Sequence, residues 1–537
     1  MTILVGEAAE KLLKDLQDQK EEIAHKAEEI AHLKETLSNS KERTSYLEQQ
    51  LAYFRQQLYG RKSEKTRTLV DDGQISLFNE AETEATVPEK AKAATTTVKE
   101  HKRKKQVGHL EEKLQNLPVE EIVHEPDAKD LICPKCGSKL QPMAKILIRQ
   151  EVKHIPAQLI VVKHYRQSYK CLDCPQDAPA QIVTATVPNP PLAHSYASPS
   201  LLAEVLTQKY SYALPLYRQA KQLAELGLPM DTTTLANWVI RASQDWLEPL
   251  TELMHKQLLT ERYLHADETS VQVLQEKERS SKNVSWMWCF ATGVFGTSHP
   301  IRIFRYSPGR GGKYAKEYLK GFNGYLHTDG YSGYNLVAAV TRCSCWAHAR
   351  RYFRLADPKL LPEREQSLAA SGVTQINKLF EIEKELAELS AAERKSQRLA
   401  REKPLLEAFF AWADENIGKV PAKSSLGKAF GYARSNRKFL ENYLLDGNCN
   451  ISNNLVENSI RPFTVGRKNW LFSTSTRGAE ASSTVYSIIE TCKANNIDPY
   501  KYLVYIFTML PDTPFLKQPE LLENFLPWSK EIQDLCK

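Results

Sequence analysis

The sequence predicts a multidomain α+β protein whose largest part is an α/β core interrupted by a helical insertion. Three observations lead there. Aliphatic residues recur every seven positions near the N-terminus, two Cys-x-x-Cys pairs bracket a short β-rich stretch, and strand-like alternation begins near residue 258. The 537 residues carry 72 Lys and Arg against 65 Asp and Glu, a net charge of +7. That balance is mildly basic and compatible with a nucleic-acid partner without demanding one. The longest apolar candidate, Tyr502–Leu510, falls well short of the roughly 18 residues of a membrane span. Met1–Glu10 lacks the charged start and apolar core of a signal peptide, so a cytoplasmic protein with no membrane partner is expected.

Residues 1–60 read as a leucine-zipper-like coiled coil. Leu16, Ile23, Ile30, Leu37, Thr44, Leu51 and Leu58 keep one heptad position, and Leu33, Leu47 and Phe54 add the second seam. The alternative is a long amphipathic helix packed on the protein's own body. Lys26 and Ser40 interrupt the seam and would limit its length or fix its register. Residues 61–128 lose aliphatic periodicity and read as a flexible basic linker, with a charge run at His101–Lys105.

Residues 129–180 hold Cys133, Cys136, Cys171 and Cys174, a spacing that suits tetrahedral Zn²⁺. Ile146–Ile148, Glu151–Ile155 and Leu159–Tyr165 are expected strands between the two pairs. His154 or His164 could replace one ligand, and a pair of buried thiols is the alternative to the preferred zinc site. The other cysteines (Cys289, Cys343, Cys345, Cys449, Cys492, Cys536) are scattered, which points to a reducing compartment rather than a disulfide framework. Residues 181–257 read as helical and helix-turn-helix-like. Helices are expected at Pro199–Lys209, Leu216–Leu226 and Thr233–Ala242, the last capped by Asp231 or Thr232 after the turn Gly227–Met230. Any helical hairpin shares that outline.

Residues 258–355 form the first part of the expected core. Strands are expected at Tyr263–Val273, Ser285–Phe295, Pro300–Tyr306, Gly324–Gly330 and Arg342–Trp346, with helices at Lys313–Lys320 and Ala347–Arg354. That order matches an RNase H-like domain, in which the first and fourth strands are neighbours, so Asp267 and Asp329 would face each other. A carboxylate inside an apolar strand is costly unless paired or metal-bound. Two of them sharing Mg²⁺ ions is what in-line phosphoryl transfer requires. Residues 356–444 read as a helical insertion, with Ile376, Leu379, Ile382, Leu386 and Leu389 at helical spacing. Residues 445–500 return to the core and carry a third candidate carboxylate, Glu457, although Asn454 and Glu457 also have the spacing of a capping box. Arg461, Arg467, Lys468 and Trp470 follow as candidate DNA contacts. Residues 501–537 read as a C-terminal helical element.

These stretches together resemble a transposase of insertion sequence family 66 over nearly the whole chain. The resemblance is carried by Leu58–Lys65, Gln74–Phe78, both cysteine pairs, Lys209–Gln219, His265–Leu274, Asp329–Asn335, Cys345–Arg351 and Asn453–Ser473. It implies a DDE enzyme with an RNase H-like core and the triad Asp267, Asp329 and Glu457 holding two Mg²⁺ or Mn²⁺ ions. It also implies structural Zn²⁺ on the four cysteines and a zipper at the N-terminus. The implied function is binding of element terminal repeats, hydrolytic cleavage there and joining of the 3′-OH to target DNA. A homodimer or larger synaptic complex, small accessory proteins of the same element and a nucleoid-associated bacterial location are expected with it. A catalytically silent DNA-binding regulator and an RNase H-like nuclease are the rival readings. Cys345 and His348 hint at a further metal site, but core packing is the preferred reading for both.

Overall fold

The computed structural model describes residues 157–170, 182–357 and 367–537, together with Lys26 alone, which is helical and exposed. The heptads, the linker and the four paired cysteines lie outside the described residues. Residues 164–537 belong to one compact unit. Leu159–Tyr165, expected as a strand, has no regular structure and leaves Ile160 and Val161 exposed. Apolar alternation makes a strand only where a neighbour pairs with it. Pairing occurs instead between Ser168–Lys170 and Ile182–Thr184.

Among the described residues from 182 onward, four helices precede the sheet. α1 (Pro199–Tyr210) starts at Ser198, whose side chain accepts from the Leu201 amide. α2 spans Leu216–Glu225. α3 (Thr232–Ala242) is capped by Asp231, which accepts the Thr234 amide at 2.7 Å. It continues through a wide turn, Ser243–Leu247, into α4 (Glu248–Leu258). Leu235, Trp238 and Val239 of α3 are buried, while Thr232, Thr233, Asn237 and Arg241 remain exposed.

The sheet is mixed. β1 (Tyr263–Gln275), β2 (Val284–Thr292) and β3 (Arg302–Ser307) pair antiparallel. β4 (Tyr325–Thr328) follows a short helix, α5 (Lys313–Tyr318), and pairs parallel with β1. β5 (Thr341–Ser344) pairs parallel with β4, giving the order β3-β2-β1-β4-β5. The expected adjacency of the first and fourth strands is present. A short strand, β6 (Phe472–Ser475), pairs with the far end of β1 and was not expected, because four half-exposed, mostly polar residues give no alternating pattern.

α6 (Trp346–Ala356) leads from β5 toward the insertion, which consists of α7 (Leu368–Glu385), α8 (Ala391–Gln397), α9 (Lys403–Asn416), α10 (Ser425–Ser435) and α11 (Arg437–Glu441). Trp346, Phe353, Phe409, Phe410 and Phe430 form its own aromatic core. The chain then returns as α12 (Asn454–Trp470), α13 (Thr476–Ala494), α14 (Pro499–Met509) and α15 (Lys530–Leu535). α13 satisfies the open edge of β3: Ser487 Oγ accepts the Phe304 amide at 2.8 Å and Thr491 Oγ1 accepts the Arg302 amide at 3.0 Å. Among the described residues no helix is long and apolar enough to cross a membrane.

One buried acid in the insertion makes stability pH-dependent. Glu402 Oε2 accepts from Tyr443 Oη at 2.6 Å, while Oε1 is buried with no hydrogen-bond partner. Burial, then repulsion from Glu383, pushes its carboxyl up to about 8. The folded chain therefore keeps a proton that the unfolded chain releases near the ordinary glutamate value, and stability falls as pH rises between the two. Glu402→Gln should stabilise the protein by about 1–3 kcal/mol at pH 8 and have little effect at pH 4.5. Urea melts of both proteins across that range test this; an unchanged difference at every pH would refute it.

Candidate active site

The strand register places the first two carboxylates. His265 of β1 lies opposite His327 of β4, with the rings stacked 4.4 Å apart. Asp267 and Asp329 stand two residues further along each chain, so strand alternation points both toward the same face. Asp267 is buried, its Oδ1 accepts the Glu268 amide at 2.9 Å, and its Oδ2 has no hydrogen-bond partner. Asp329, just past β4, is half-buried and accepts the Tyr331 amide at 2.8 Å. Arg342 of β5 fixes that strand end through Thr328 Oγ1 at 2.9 Å and the Asp329 carbonyl at 2.6 Å. At Gly330 the insertion comes so close that a Cβ would collide with the Tyr432 ring.

Glu457 comes to the same place from α12, which packs across β1 and β2. It is buried, with Oε2 3.5 Å from Arg351 Nη2 and Oε1 3.4 Å from His348 Nδ1. The capping-box alternative is not realised. α12 begins after Asn453, which makes no side-chain cap. Asn453 instead spans to the sheet: its Nδ2 donates to the Ala266 carbonyl at 3.0 Å and its Oδ1 accepts His265 Nδ1–H at 2.9 Å. Burial holds His265 down to about 4, and its Nε2 stands 3.1 Å from Asn450 Oδ1. The Asn450 backbone amide in turn donates to His327 Nε2 at 3.0 Å. These polar pins fix the start of α12 to the two strands that carry Asp267 and Asp329.

The electrostatics follow from the crowding. Burial, then Glu268, Glu457 and Asp329, raises the Asp267 carboxyl well above its ordinary value, partly countered by His348. Burial and Asp329 push Glu268 up to about 7, although Arg310 and Tyr334 oppose this. Glu268 is committed, accepting Arg310 Nε at 2.8 Å and Tyr334 Oη at 2.5 Å. His348 is buried, which alone would lower it, but Glu457 and Cys345 push it up to about 10. A buried group of acids with orphaned oxygens suits a divalent cation, which would remove the repulsion and occupy the open lone pairs.

The remaining candidates separate. Cys133, Cys136, Cys171 and Cys174 fall outside the described residues. Arg467, read as a phosphate contact, is half-buried and donates through Nη1 to Thr269 Oγ1 at 3.1 Å, to Ser270 Oγ at 3.2 Å and to the Ser270 carbonyl. It braces α12 against β1. Trp470 packs edge-on to Tyr210, centroids 6.3 Å apart, with Lys209 Nζ 5.6 Å from its centre. Lys468 is exposed and Arg461 half-buried. Sequence reasoning did not give His348, Cys345 or Arg351 a place beside Glu457; the signal available was their position immediately after the fifth strand.

Comparison with known proteins gives the family. The family model described as "Transposase IS66 family" matches residues 194–481, a span holding all three carboxylates. The "zinc-finger binding domain of transposase IS66" matches residues 130–175, including all four paired cysteines. The "IS66 C-terminal element" matches 487–528, and "Transposase C of IS166 homeodomain" matches 46–122. Two uncharacterized proteins of Sinorhizobium fredii (strain NBRC 101917 / NGR234) are similar over most of their length. One, y4hP, is 29% identical over 490 residues, 88% of this chain and 86% of the relative. The other, y4qI, is 28% identical over 495 residues with the same coverage. With more than half of its length on one family model, the chain belongs to the IS66 transposase family, whose domains make it a transposase with DNA-binding regions and an implied use of divalent metal.

Proposed function

We propose that this transposase is a DDE enzyme with an RNase H-like core, in which Asp267, Asp329 and Glu457 carry the chemistry. The observation that carries the reading is the convergence of the three carboxylates, from β1, the end of β4 and α12, with Asp267 Oδ2 and Glu457 Oε1 both buried and without a hydrogen bond. Mg²⁺ or Mn²⁺ held by these residues would supply Lewis acidity for the attacking water and the leaving 3′ oxygen. Asp267, buried among the acids, would be a principal ligand; Arg351 and the Asn453 pins hold Glu457 in place. Water breaks the phosphodiester at the element end and leaves a 3′-hydroxyl. That hydroxyl then displaces a 3′ oxygen of target DNA, so one bond forms as another breaks and no covalent protein intermediate is needed.

Around this centre, Cys133, Cys136, Cys171 and Cys174 would hold structural Zn²⁺, α1 to α3 would contact the terminal repeat, and the heptad segment would bring two subunits and both element ends together. Lys468, exposed on α12, remains the better phosphate candidate, because Arg467 is engaged with β1. The test is incubation of the full chain with a duplex carrying the element end and a supercoiled target, with Mg²⁺ or Mn²⁺. Expected are a nicked 3′-hydroxyl product and a joined product, both removed by chelation and reduced at least about a thousandfold in Glu457→Gln. Sequence-specific binding with no nick or joining in either protein would replace this reading with the silent regulator.

A further inference from the structure

Three buried polar atoms around the third carboxylate lack hydrogen-bond partners: Asp267 Oδ2, Glu457 Oε1 and His348 Nδ1. The last two face each other across 3.4 Å without making a hydrogen bond. The donor atoms of Cys345, His348 and Glu457 all lie within 4.8 Å of one another. Two ligands of one octahedral ion, each about 2.1 Å from it, stand about 3 Å apart. The His348–Glu457 spacing is close to that. Other contacts lock the pair. Arg351, one turn along α6 from His348, takes the opposite oxygen of Glu457 at 3.5 Å, and Cys345 Sγ accepts the Asn453 amide at 3.1 Å. A buried imidazole nitrogen and a buried carboxylate oxygen held at ion-pair distance without a hydrogen bond keep part of their desolvation cost, and one shared cation would satisfy both.

We propose that His348 is a nitrogen ligand of the cation held by Asp267 and Glu457, making that position a mixed nitrogen–oxygen site rather than an all-carboxylate one. This rests on the carboxylate reading above and adds a ligand to it. A site with an imidazole favours Mn²⁺ over Mg²⁺ more strongly than an all-oxygen site does. Cys345, engaged by Asn453, supports the ring from the start of α6.

The test is pulsed electron paramagnetic resonance of the full chain with Mn²⁺ alone, beside Asp267→Asn and His348→Gln. Expected is ¹⁴N modulation from a directly bound imidazole in the wild type, lost in His348→Gln, with Mn²⁺ affinity weakened at least about tenfold. Mn²⁺ binding that Asp267→Asn abolishes, but that shows only oxygen ligation in the wild type, overturns the proposal and leaves His348 a positioning residue for Glu457. Nitrogen modulation that survives His348→Gln also overturns it. Absence of any Asp267-dependent Mn²⁺ binding overturns both this ligand and the carboxylate reading. The wild-type spectrum distinguishes nitrogen from oxygen ligation even if His348→Gln folds poorly.

Discussion

Replacing Asp267 with Asn should abolish cleavage and strand joining, by at least about a thousandfold, and yet raise the melting temperature of the metal-free protein. The first effect follows from its proposed role; losing a metal ligand would remove several kcal/mol of transition-state stabilisation. The second follows from the charge itself. Asp267 is buried beside Glu268, Glu457 and Asp329, and its Oδ2 has no hydrogen-bond partner. Its raised carboxyl costs stability at neutral pH, because the unfolded chain ionises it freely and the folded chain does not. Asparagine keeps the shape and removes that cost, giving about 1–3 kcal/mol, or roughly 2–6 °C. Added Mg²⁺ should stabilise the wild type and leave Asp267→Asn unchanged. Calorimetric melts with and without Mg²⁺, run beside the joining assay, read all three effects. A variant that still joins DNA, or that melts lower without metal, would sink the assignment.

Arg398→Ala should have the opposite character: a loss of about 3–5 kcal/mol in stability, with activity falling because the site loses its support. Arg398 is fully buried in the insertion. It grips Glu383 with two bonds, Nε to Oε1 at 2.6 Å and Nη2 to Oε2 at 2.7 Å. Its Nη1 reaches the carbonyls of Tyr443, Asp446 and Gly447 at 3.2–3.4 Å, and Arg394 Nη1 adds the Gly447 carbonyl at 2.8 Å. The alanine variant leaves the partly buried Glu383 carboxylate without its cation, beside the buried Glu402 carboxyl. The gripped segment runs directly to Asn450 and Asn453, so its loosening should also weaken the His265 pins. Chemical denaturation of Arg398→Ala, Glu383→Gln and the double variant measures the coupling. If the double variant is no more stable than Arg398→Ala, the buried pair is not the source of the loss.

Much of the fold was legible because its signals are local. Asp231, three residues before the amide it caps, announced α3. Alternation over Tyr263–Val273 announced β1, and the charged residue inside that apolar run announced Asp267. The strand at Leu159–Tyr165 failed and β6 was missed from opposite sides of one fact: a strand needs a partner, which an apolar run does not guarantee and a polar stretch can still find. Arg467 is a different case. A basic residue beside an aromatic one suggests DNA, yet its guanidinium is held by Thr269 and Ser270, nearly two hundred positions away.

By itself the sequence determined the order of elements, the residue types able to hold metal and the family to which the chain belongs. Side-chain period and capping chemistry act over a few residues, and motif spacing is written directly in the chain. The tertiary structure decided what surrounds each carboxylate. Arg351 reaches Glu457 across 106 positions and His265 reaches Asn453 across 188, contacts that arise only after the helical insertion closes and returns α12 to the sheet. The same closure leaves Glu457 Oε1, His348 Nδ1 and Asp267 Oδ2 without a hydrogen bond within one buried neighbourhood. An unsatisfied buried atom is a property of the packed chain, since in an extended chain water would satisfy all three.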